Sequence, residues 1–432
     1  MIVDILARFR IPAFSAWHSR SSPSIRDRAG DGGTADRLTA ILLIAASIAC
    51  GRIGWSGEVL LLPVAMVFPA LWAMSPSRMV AAFVSAGYFL AASRGLPQGV
   101  ANFYAADHWP GLLLWVAASA SFVGVHAVLW TARRVKNATG KRGADAARAL
   151  RYLVSMVLTG LPPFGITGWA HPLTAAGVLF PGWGWWGLFA LTASLLVMTT
   201  RFWPAAAITL GAFWLWSAAT WTPLNLAEGW RSVDLQQGQN LGRDGSLAYQ
   251  RDLIATVRHT IASHPDTHVI VLPESALGFW TPTVENLWRE GLRGPDVTVV
   301  TGATRIGVKG YDNVMVAISA DEAKILYRER MPVPVSMWQP WLRWTGQGGG
   351  ARADFFGNPV VQVRQKRIAP IICYEQLIVW PVLQSMLHSP DAIVATGNGW
   401  WTAGTSIVAI QRASVTAWAK LFGLPVVIAF NL

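Results

Sequence analysis

The sequence predicts two structural classes in one chain, a multi-span α-helical membrane bundle followed by an extramembranous α/β domain. Hydrophobic residues make up 53% of the 432 residues and charged residues 13%, whereas soluble domains are about a quarter charged. Long apolar runs occupy the first half, and after Glu228 short β-rich runs alternate with helical patterns. The length also exceeds what one hydrophobic core usually organises. Lipid is therefore the expected solvent for the first half.

Residues 38–221 are predicted to form a bundle of about seven transmembrane helices, with six or eight as open alternatives. A helix needs about 20 apolar residues to cross the hydrocarbon layer, and about 17 are tolerated. The predicted spans are Leu38–Gly54, Gly57–Met74, Met79–Ser93, Trp109–Trp130, Tyr152–Trp169, Trp185–Thr199 and Trp203–Trp221. The 24 tryptophans of the chain fit this prediction, because Trp favours the boundary between lipid and water.

The distribution of basic residues predicts the orientation of the bundle. Arginine is concentrated in the polar segment 1–37, and Lys and Arg are again concentrated between Arg133 and Arg151. Four predicted spans separate the two segments, so both lie on one face, and such segments mark the cytoplasmic face. Seven spans from a cytoplasmic start then place residues 228–432 in the periplasm of a Gram-negative cell. We expect a multi-pass protein of the inner membrane with a cytoplasmic amino terminus.

Several classes of partner are not expected. The net charge of +12 does not by itself predict direct nucleic-acid binding, because many of the basic residues lie in loops between apolar runs. The two cysteines, Cys50 and Cys373, give no disulfide framework. The sequence has no Walker A, G-x-S-x-G or H-E-x-x-H motif, and we predict neither a cofactor nor a metal ion.

The second half is predicted to contain strands that are buried on both faces. Continuous apolar runs, rather than alternating ones, are typical of such strands. The predicted strands are Val269–Leu272, Val297–Thr301, Val314–Ile318, Ile368–Ile372, Ile393–Ala395 and Val426–Ala429, and the predicted helices are Ser246–His264 and Ser406–Phe422.

Two of these strands end in residues that suit acyl transfer. Glu274 follows the first strand, and Cys373 follows the fourth. Cysteine is nucleophilic as the thiolate, so it needs a base or a cation nearby. A carboxylate in a partly dry pocket can be that base, since burial raises its pKa toward neutrality. Each residue alone is more simply explained as a core cysteine or a capping glutamate, but together they make acyl transfer a working hypothesis.

Three stretches together resemble the nitrilase superfamily and, within it, the apolipoprotein N-acyltransferase branch. They are VLPESA around Glu274, the trio Cys373-Tyr374-Glu375, and the closing stretch that begins ATGNGWW. The resemblance implies a four-layer αββα sandwich over residues 228–432 and a Glu-Lys-Cys triad. Glu274 then corresponds to the general base, Cys373 to the nucleophile that forms a thioester, and Glu375 to the acidic residue beside the nucleophile.

The sequence departs from the family pattern in two places. Glu329 stands where the family has its lysine, and Arg330 beside it is the candidate for holding the oxyanion instead. Arginine can hold an oxyanion but cannot donate its proton. The sequence also stops just after the strand that contains Ala429, where the family continues. The resemblance therefore implies a domain truncated at its carboxy terminus. It also implies that the domain opens with a strand at Val233–Asn240.

Three tryptophans near these motifs are candidates for substrate binding. Trp338 and Trp341 follow the position of the missing lysine, and Trp400 lies in ATGNGWW. In the enzymes that the chain resembles, this region admits lipid. The implied ligand is a membrane lipid or an acylated envelope substrate, and packing onto the bundle is an equally open explanation for Trp338 and Trp341.

Two hypotheses for the function follow. In the first, the chain is a Cys373-dependent amidase or N-acyltransferase. In the second, it is a catalytically lapsed relative that keeps the fold and acts as an envelope or assembly factor. The polar amino terminus and the pattern of residues along the chain resemble those of family members that support conjugal plasmid transfer. Under either hypothesis we expect a role in conjugation, with the conjugation machinery as a partner.

Overall fold

A computed structural model of the chain describes residues 31–131, 140–240, 246–308, 310–346 and 349–432. Most of the predicted cytoplasmic segment 1–37 and part of the basic segment 133–151 lie outside the described residues. The chain divides into two compact units, residues 1–39 and 40–432. In the first unit the described residues form the first turns of helix α1. The second unit contains all the other described elements.

The first half is helical, as predicted. The helices described before the first strand are α1 (Asp31–Gly54), α2 (Phe68–Met74), α3 (Arg78–Ala92), α4 (Leu96–Tyr104), α5 (His108–Leu129), α6 (Gly140–Gly160), α7 (Ala176–Leu179), α8 (Gly184–Met198) and α9 (Trp203–Ala219). Among the described residues, α5 and the part of α1 from Asp36 onward are long and apolar enough to cross a membrane. The pair α3 and α4, bent by 49°, makes a third crossing if it counts as one span. These helices do not establish the predicted bundle of about seven spans.

Prolines explain why one predicted span is not a continuous α-helix. The run Gly57–Met74 begins as a 3-10 helix, Val59–Val67, with Pro63 inside it, and continues as α2 with Pro69 in its first turn. Proline has no N–H to donate, and its ring clashes with the carbonyl one turn earlier. The run is therefore apolar throughout but structurally interrupted.

The second half contains two β-sheets. Their strands are β1 (Trp230–Ser232), β2 (Val269–Val271), β3 (Thr298–Gly307), β4 (Gly310–Ile318), β5 (Ala323–Arg328), β6 (Val361–Val363), β7 (Lys366–Ile372), β8 (Ala392–Asn398) and β9 (Val426–Asn431). In the first sheet β1, β2 and β3 are parallel, and β4 and β5 continue the sheet as antiparallel strands. In the second sheet β7, β8 and β9 are parallel, and β6 pairs antiparallel with β7.

Each of the six predicted strands overlaps an observed strand, but the predicted opening strand is misplaced. The structure places it at Trp230–Ser232 rather than at Val233–Asn240. The chain leaves the first sheet after Ser232, because Leu235 pairs with Asn431 at the edge of the second sheet. This segment therefore joins the two sheets.

Burial along the strands shows a four-layer order. Val269 and Val271 of β2 pack against the second sheet, whereas Ile270 and Leu272 pack against the helices outside the first sheet. These outer helices are α10 (Leu247–Ser263) and α11 (Pro282–Gly291). The outer face of the second sheet packs in the same way on α12 (Val379–Met386) and α13 (Ile407–Phe422). The αββα order that the resemblance implied is confirmed.

The helical half packs on the outer layer formed by α12 and α13. The backbone N–H of Gly182 donates to the carbonyl of Lys420 in α13 at 2.8 Å. The hydroxyl of Tyr374, next to Cys373, donates to the carbonyl of Ile166 at 3.1 Å. The turn that carries the predicted nucleophile is thus fixed to the helical half of the molecule.

Candidate active site

Glu274 follows β2 at a point where the backbone of β3 passes very close. A Cβ atom at Gly302 of β3 would lie 2.5 Å from the Cα of Glu274, so only glycine fits there. The N–H of Gly302 also donates to the carbonyl of Pro273 at 3.1 Å. This close approach fixes the backbone that carries the predicted base.

Cys373 begins a short 3-10 turn, Cys373–Gln376, directly after β7. Its φ of +44° lies in the left-handed region, which is uncommon for a residue other than glycine. The side-chain amide of Gln411 in α13 donates to its carbonyl at 2.8 Å. Uncommon backbone conformations of this kind occur most often at functional sites.

The predicted nucleophile and the predicted base lie together. Cys373 and Glu274 line the same cavity and are close enough for each to shift the pKa of the other. The Glu274 carboxylate accepts from the side-chain nitrogen of Asn313 at 2.7 Å and from the backbone N–H of Asn398 at 3.0 Å. Cys373 is 6% exposed and Glu274 is 4% exposed. Both residues are therefore almost dry.

Burial sets the protonation of both groups. It raises the pKa of Glu274 to about 7, although the hydrogen bonds from Asn313 and Asn398 favour the carboxylate. Burial raises the pKa of the Cys373 thiol well above its ordinary value, and the neighbouring acids Glu274 and Glu329 add to the rise. At neutral pH the sulfur therefore keeps its proton, and an ionised Glu274 is the group that can accept it.

Glu329 lies beside this pair, at the end of β5. Its Oε2 accepts from the same Asn313 nitrogen at 2.8 Å, and it is 1% exposed. Burial, with the charges of Glu274 and Glu375, raises the pKa of Glu329 well above its ordinary value. The position where the family has a cation is thus filled by a buried acid.

Arg330 does not take the place of the missing lysine. It is fully buried, its Nε lies 3.8 Å from Oε1 of Glu375, and it donates to the hydroxyl of Tyr327 at 2.8 Å. Its two terminal nitrogens bind Gln384 and Ser385. The guanidinium is thus engaged by Glu375, Tyr327, Gln384 and Ser385, and Arg330 is not among the residues that line the cavity with Cys373.

Glu375 supports the turn rather than facing a substrate. Its carboxylate accepts hydrogen bonds from the backbone N–H groups of Arg330 and Ile372 at 2.7 and 2.8 Å, and from the hydroxyl of Tyr327 at 2.6 Å. Burial raises the pKa of Glu375, and the charge of Arg330 opposes that rise. The acid predicted beside the nucleophile thus connects β5, β7 and the nucleophile turn.

The candidate pair lines a cavity of about 700 Å³ whose lining is mainly apolar. Side chains from both halves of the molecule line it. From the helical half these include Leu96, Val100, Phe103, Leu114 and Trp169, and from the α/β half Glu274, Asn313, Cys373, Asn398 and Gln411. Its lining also includes Phe279 and Ile306, which are 60% and 64% exposed. The cavity therefore reaches the molecular surface.

The three predicted substrate-binding tryptophans are not all at this cavity. Trp400 lines it and stacks on Phe103, with ring centroids 5.8 Å apart. Trp338 instead packs edge-on against Phe355, and Trp341 lies in a 3-10 turn outside the lining. Residues 333–337, just before these two tryptophans, do line the cavity.

Sequence reasoning missed the two asparagines that hold Glu274. Asn398 lies in ATGNGWW, so the motif contained it, but nothing in the sequence shows that its backbone N–H meets the base. Asn313 lies inside β4, where only the register of β4 against β5 brings it to Glu329. The backbone N–H of Glu329 donates to the carbonyl of Asn313 at 2.9 Å.

Comparisons with known proteins agree with this architecture. A family model described as "Carbon-nitrogen hydrolase" matches residues 90–420. The chain is 68% identical over 431 residues to "Conjugal transfer protein TraB" of Agrobacterium fabrum, with 100% of each chain covered. It is 60% identical over 396 residues to "Probable conjugal transfer protein TraB" of Sinorhizobium fredii, covering 92% of this chain and 99% of that protein.

Solved structures similar to the chain include nitrilase-superfamily proteins. A mutant of an amidase from Nesterenkonia aligns at 12% identity and a TM-score of 0.36, covering 49% of this chain and 79% of that chain. A carbon-nitrogen hydrolase from Helicobacter pylori aligns at 12% identity and a TM-score of 0.35, covering 46% and 72%. By its family-model match and its full-length similarity to the TraB proteins, the chain belongs to the carbon-nitrogen hydrolase family of the nitrilase superfamily.

Proposed function

We propose that the chain is a membrane-anchored carbon-nitrogen hydrolase-like protein that supports conjugal plasmid transfer through acyl-transfer chemistry at Cys373. One observation carries the chemical part: a buried thiol and a buried carboxyl group lie close together in the lining of a mainly apolar cavity. The names of two relatives that share 68% and 60% of aligned residues support the part in conjugation.

The proposed reaction uses Glu274 as the only proton acceptor. As the Cys373 sulfur attacks an acyl carbonyl, its proton moves to the Glu274 carboxylate and the carbonyl electron pair moves to oxygen. Collapse of this adduct reforms the carbonyl, breaks the bond to the leaving amine or alcohol, and returns the Glu274 proton to that leaving group. Cys373 is then held as a thioester, which water or an acceptor amine can cleave.

The lining of the cavity favours a substrate with an apolar chain. Val100, Phe103 and Leu114 from the helical half face the same space as Cys373. Apolar pockets with a few polar groups at one end bind ligands by burying the apolar part and orienting the polar part. A membrane lipid or an acylated envelope substrate has this chemistry.

The direct test replaces the nucleophile. Cys373→Ala is expected to abolish labelling by an acyl-type thiol probe and to abolish plasmid transfer when it replaces the wild-type gene. Cys50→Ala, the same change at the second cysteine of the chain, is the matched control, because Cys50 donates to the Val64 carbonyl, far from the site, at 2.9 Å. Normal plasmid transfer by Cys373→Ala would rule out the enzymatic proposal.

The proposed location is the inner membrane, with the amino terminus in the cytoplasm and residues 228–432 in the periplasm. Alkaline phosphatase fused after Asn240 is expected to be active, because that reporter folds only outside the cytoplasm. A β-galactosidase fusion at the same residue is expected to be inactive. The reverse pattern would contradict the predicted orientation and the odd number of spans.

The second candidate function is a catalytically lapsed envelope or assembly factor. Glu329 favours it, since a carboxyl group replaces the cation that would stabilise a thiolate and an oxyanion, an interaction worth about 3 kcal/mol. Under this alternative, Cys373→Ala transfers plasmids normally, whereas substitutions that unfold the α/β half abolish transfer. The two candidates therefore predict opposite results for one variant.

A further inference from the structure

Two buried oxygen atoms beside Cys373 have no hydrogen-bond partner among the residues that the structure describes. They are Oε1 of Glu329 and Oδ1 of Asn313. The two residues are already joined, because the Asn313 side-chain nitrogen donates to Oε2 of Glu329 at 2.8 Å. If Glu329 were a carboxylate, both unpaired oxygens would be acceptors, and each would be desolvated without compensation. A single proton on Glu329 changes this, because it provides the missing donor.

The charges around Glu329 also require that proton. The same Asn313 nitrogen donates to Oε1 of Glu274 at 2.7 Å, so the two carboxyl groups lie side by side. Across the described parts of the chain, neither carboxyl group forms an ion pair with a lysine or arginine: Arg330 pairs with Glu375, and Arg328 faces Asp312 at 3.7 Å. Two adjacent carboxylates without a cation do not both ionise at neutral pH.

The other titratable neighbours add no positive charge. The charges of Glu274 and Glu375 raise the pKa of Glu329. A charge on Glu329 would in turn raise the pKa values of Tyr311 and Cys373. Glu375 has its own donors in Tyr327 and Arg330. Among the described residues, the titratable groups coupled to Glu329 in this way are thus acids, a phenol and a thiol, and each of them favours a neutral Glu329.

We propose that Glu329 is a protonated, neutral acid that pairs reciprocally with the Asn313 amide, accepting from its nitrogen and donating to its oxygen. A carboxylic acid and a primary amide form two parallel hydrogen bonds in this way, using all four polar atoms. The pairing leaves the second N–H of Asn313 pointing at Glu274. Glu329 is then a positioning residue that orients the amide holding the base, and it adds no charge beside the sulfur.

The positioning role of Glu329 rests on the proposed acyl-transfer function. Its protonation does not, because protonation can be measured without any activity. Where the family has a lysine cation, the site then contains a neutral pair, and Glu274 alone is left to take the thiol proton. Glu329→Gln imitates the proposed state, because an amide can also accept and donate across the Asn313 amide. Glu290→Gln is the matched control, because Glu290 is an exposed acid 2.9 Å from Arg293.

Infrared difference spectra of the full-length protein in detergent at neutral pH test the proposal. Wild type minus Glu329→Gln is expected to show the carbonyl band of a protonated carboxylic acid, shifted in heavy water. Wild type minus Glu290→Gln is expected to show carboxylate bands only. Carboxylate bands for Glu329 as well would overturn the proposal, whatever the result for Cys373→Ala.

A second variant tests the pairing itself and serves if Glu329→Gln does not fold. Asn313→Ala removes the acceptor of the proposed O–H, so the acid band of wild type is expected to move in frequency. A band that stays in place would show that the proton is not shared with Asn313, which contradicts the proposed pair. Normal plasmid transfer by Cys373→Ala would instead reject the enzymatic function and leave the infrared result standing.

Discussion

Cys373 and Glu274 are both buried, yet their surroundings give them different protonation states. Glu274 accepts hydrogen bonds from Asn313 and from the backbone of Asn398, which favour its charged form and oppose the effect of burial. Cys373 has negative or acidic neighbours in Glu274 and Glu329, which oppose its ionisation. Environments that separate two pKa values in this way define an acid and a base.

The pKa of Glu274 predicts a pH dependence for acylation of Cys373. Because that pKa is raised to about 7, Glu274 is protonated below this pH and cannot accept the thiol proton. The labelling rate by an acyl-type probe is expected to rise as the pH increases through about 7 and then to level off. Glu274→Gln is expected to lower the plateau rate by on the order of 10² to 10⁴. A variant that keeps both the plateau and the inflection would show that another group is the base.

At the scale of single elements, one carboxylate holds the nucleophile turn in place. Glu375 accepts from the backbone N–H of Ile372, just before the turn, and from that of Arg330, just after β5, and it lies against the fully buried Arg330 side chain. A backbone in the left-handed region at Cys373 costs roughly 1–2 kcal/mol, so its surroundings must compensate. The turn therefore depends on a buried ion pair that never touches the cavity.

Glu375→Gln is expected to destabilise the protein strongly. The change leaves Arg330 buried without a counter-charge, and breaking a buried pair in this way costs roughly 3–5 kcal/mol. Chemical unfolding in detergent measures the loss. Glu290→Gln, the same change at an exposed pair, is expected to cost at most about 1 kcal/mol. Equal stability of the two variants would mean that the pair contributes little to the turn.

The ends of the strands were predictable, and the contacts between strands were not. Glu274 and Cys373 stood out because each directly follows a continuous apolar run, which places it at the edge of a buried sheet. Asn313 gave no such indication, since it is a polar residue inside a strand and its role depends on the register with β5. The contact of Arg330 with Glu375 could not be predicted, because the two residues are far apart in the chain. Local patterns locate strands, whereas site geometry depends on pairs of residues far apart in the chain.

At the scale of the whole molecule, the helical and α/β halves share one cavity and one closely packed interface. Apolar composition predicted the helices of the first half. It did not indicate where prolines interrupt a helix or where two helices meet at a bend, so the number of spans stays a prediction. The interface is built on glycines: a Cβ atom at Gly99 would lie 2.6 Å from the Trp401 ring, and one at Gly57 would lie 2.4 Å from Ala409. Such close contacts leave little room for one half to move against the other.

Gly177→Ala tests whether this close packing is needed for the site. Gly177 lies in α7, and a Cβ atom there would be 1.6 Å from the carbonyl oxygen of Ala417 in α13. The two helices must therefore separate, which is expected to cost about 1–3 kcal/mol of stability. Labelling of Cys373 is expected to slow, because Gln411 of α13 donates to the Cys373 carbonyl. Gly211→Ala is the control, since in the described part of the chain nothing beyond its chain neighbours and its own helix backbone lies within 4 Å of a Cβ there. In a helix that change is expected to stabilise by about 0.5–1 kcal/mol. Thermal unfolding and probe labelling of both variants in detergent measure the difference. If Gly177→Ala labels as fast as Gly211→Ala, the site does not depend on how α7 meets α13, and the α/β half holds its nucleophile without help from the helices.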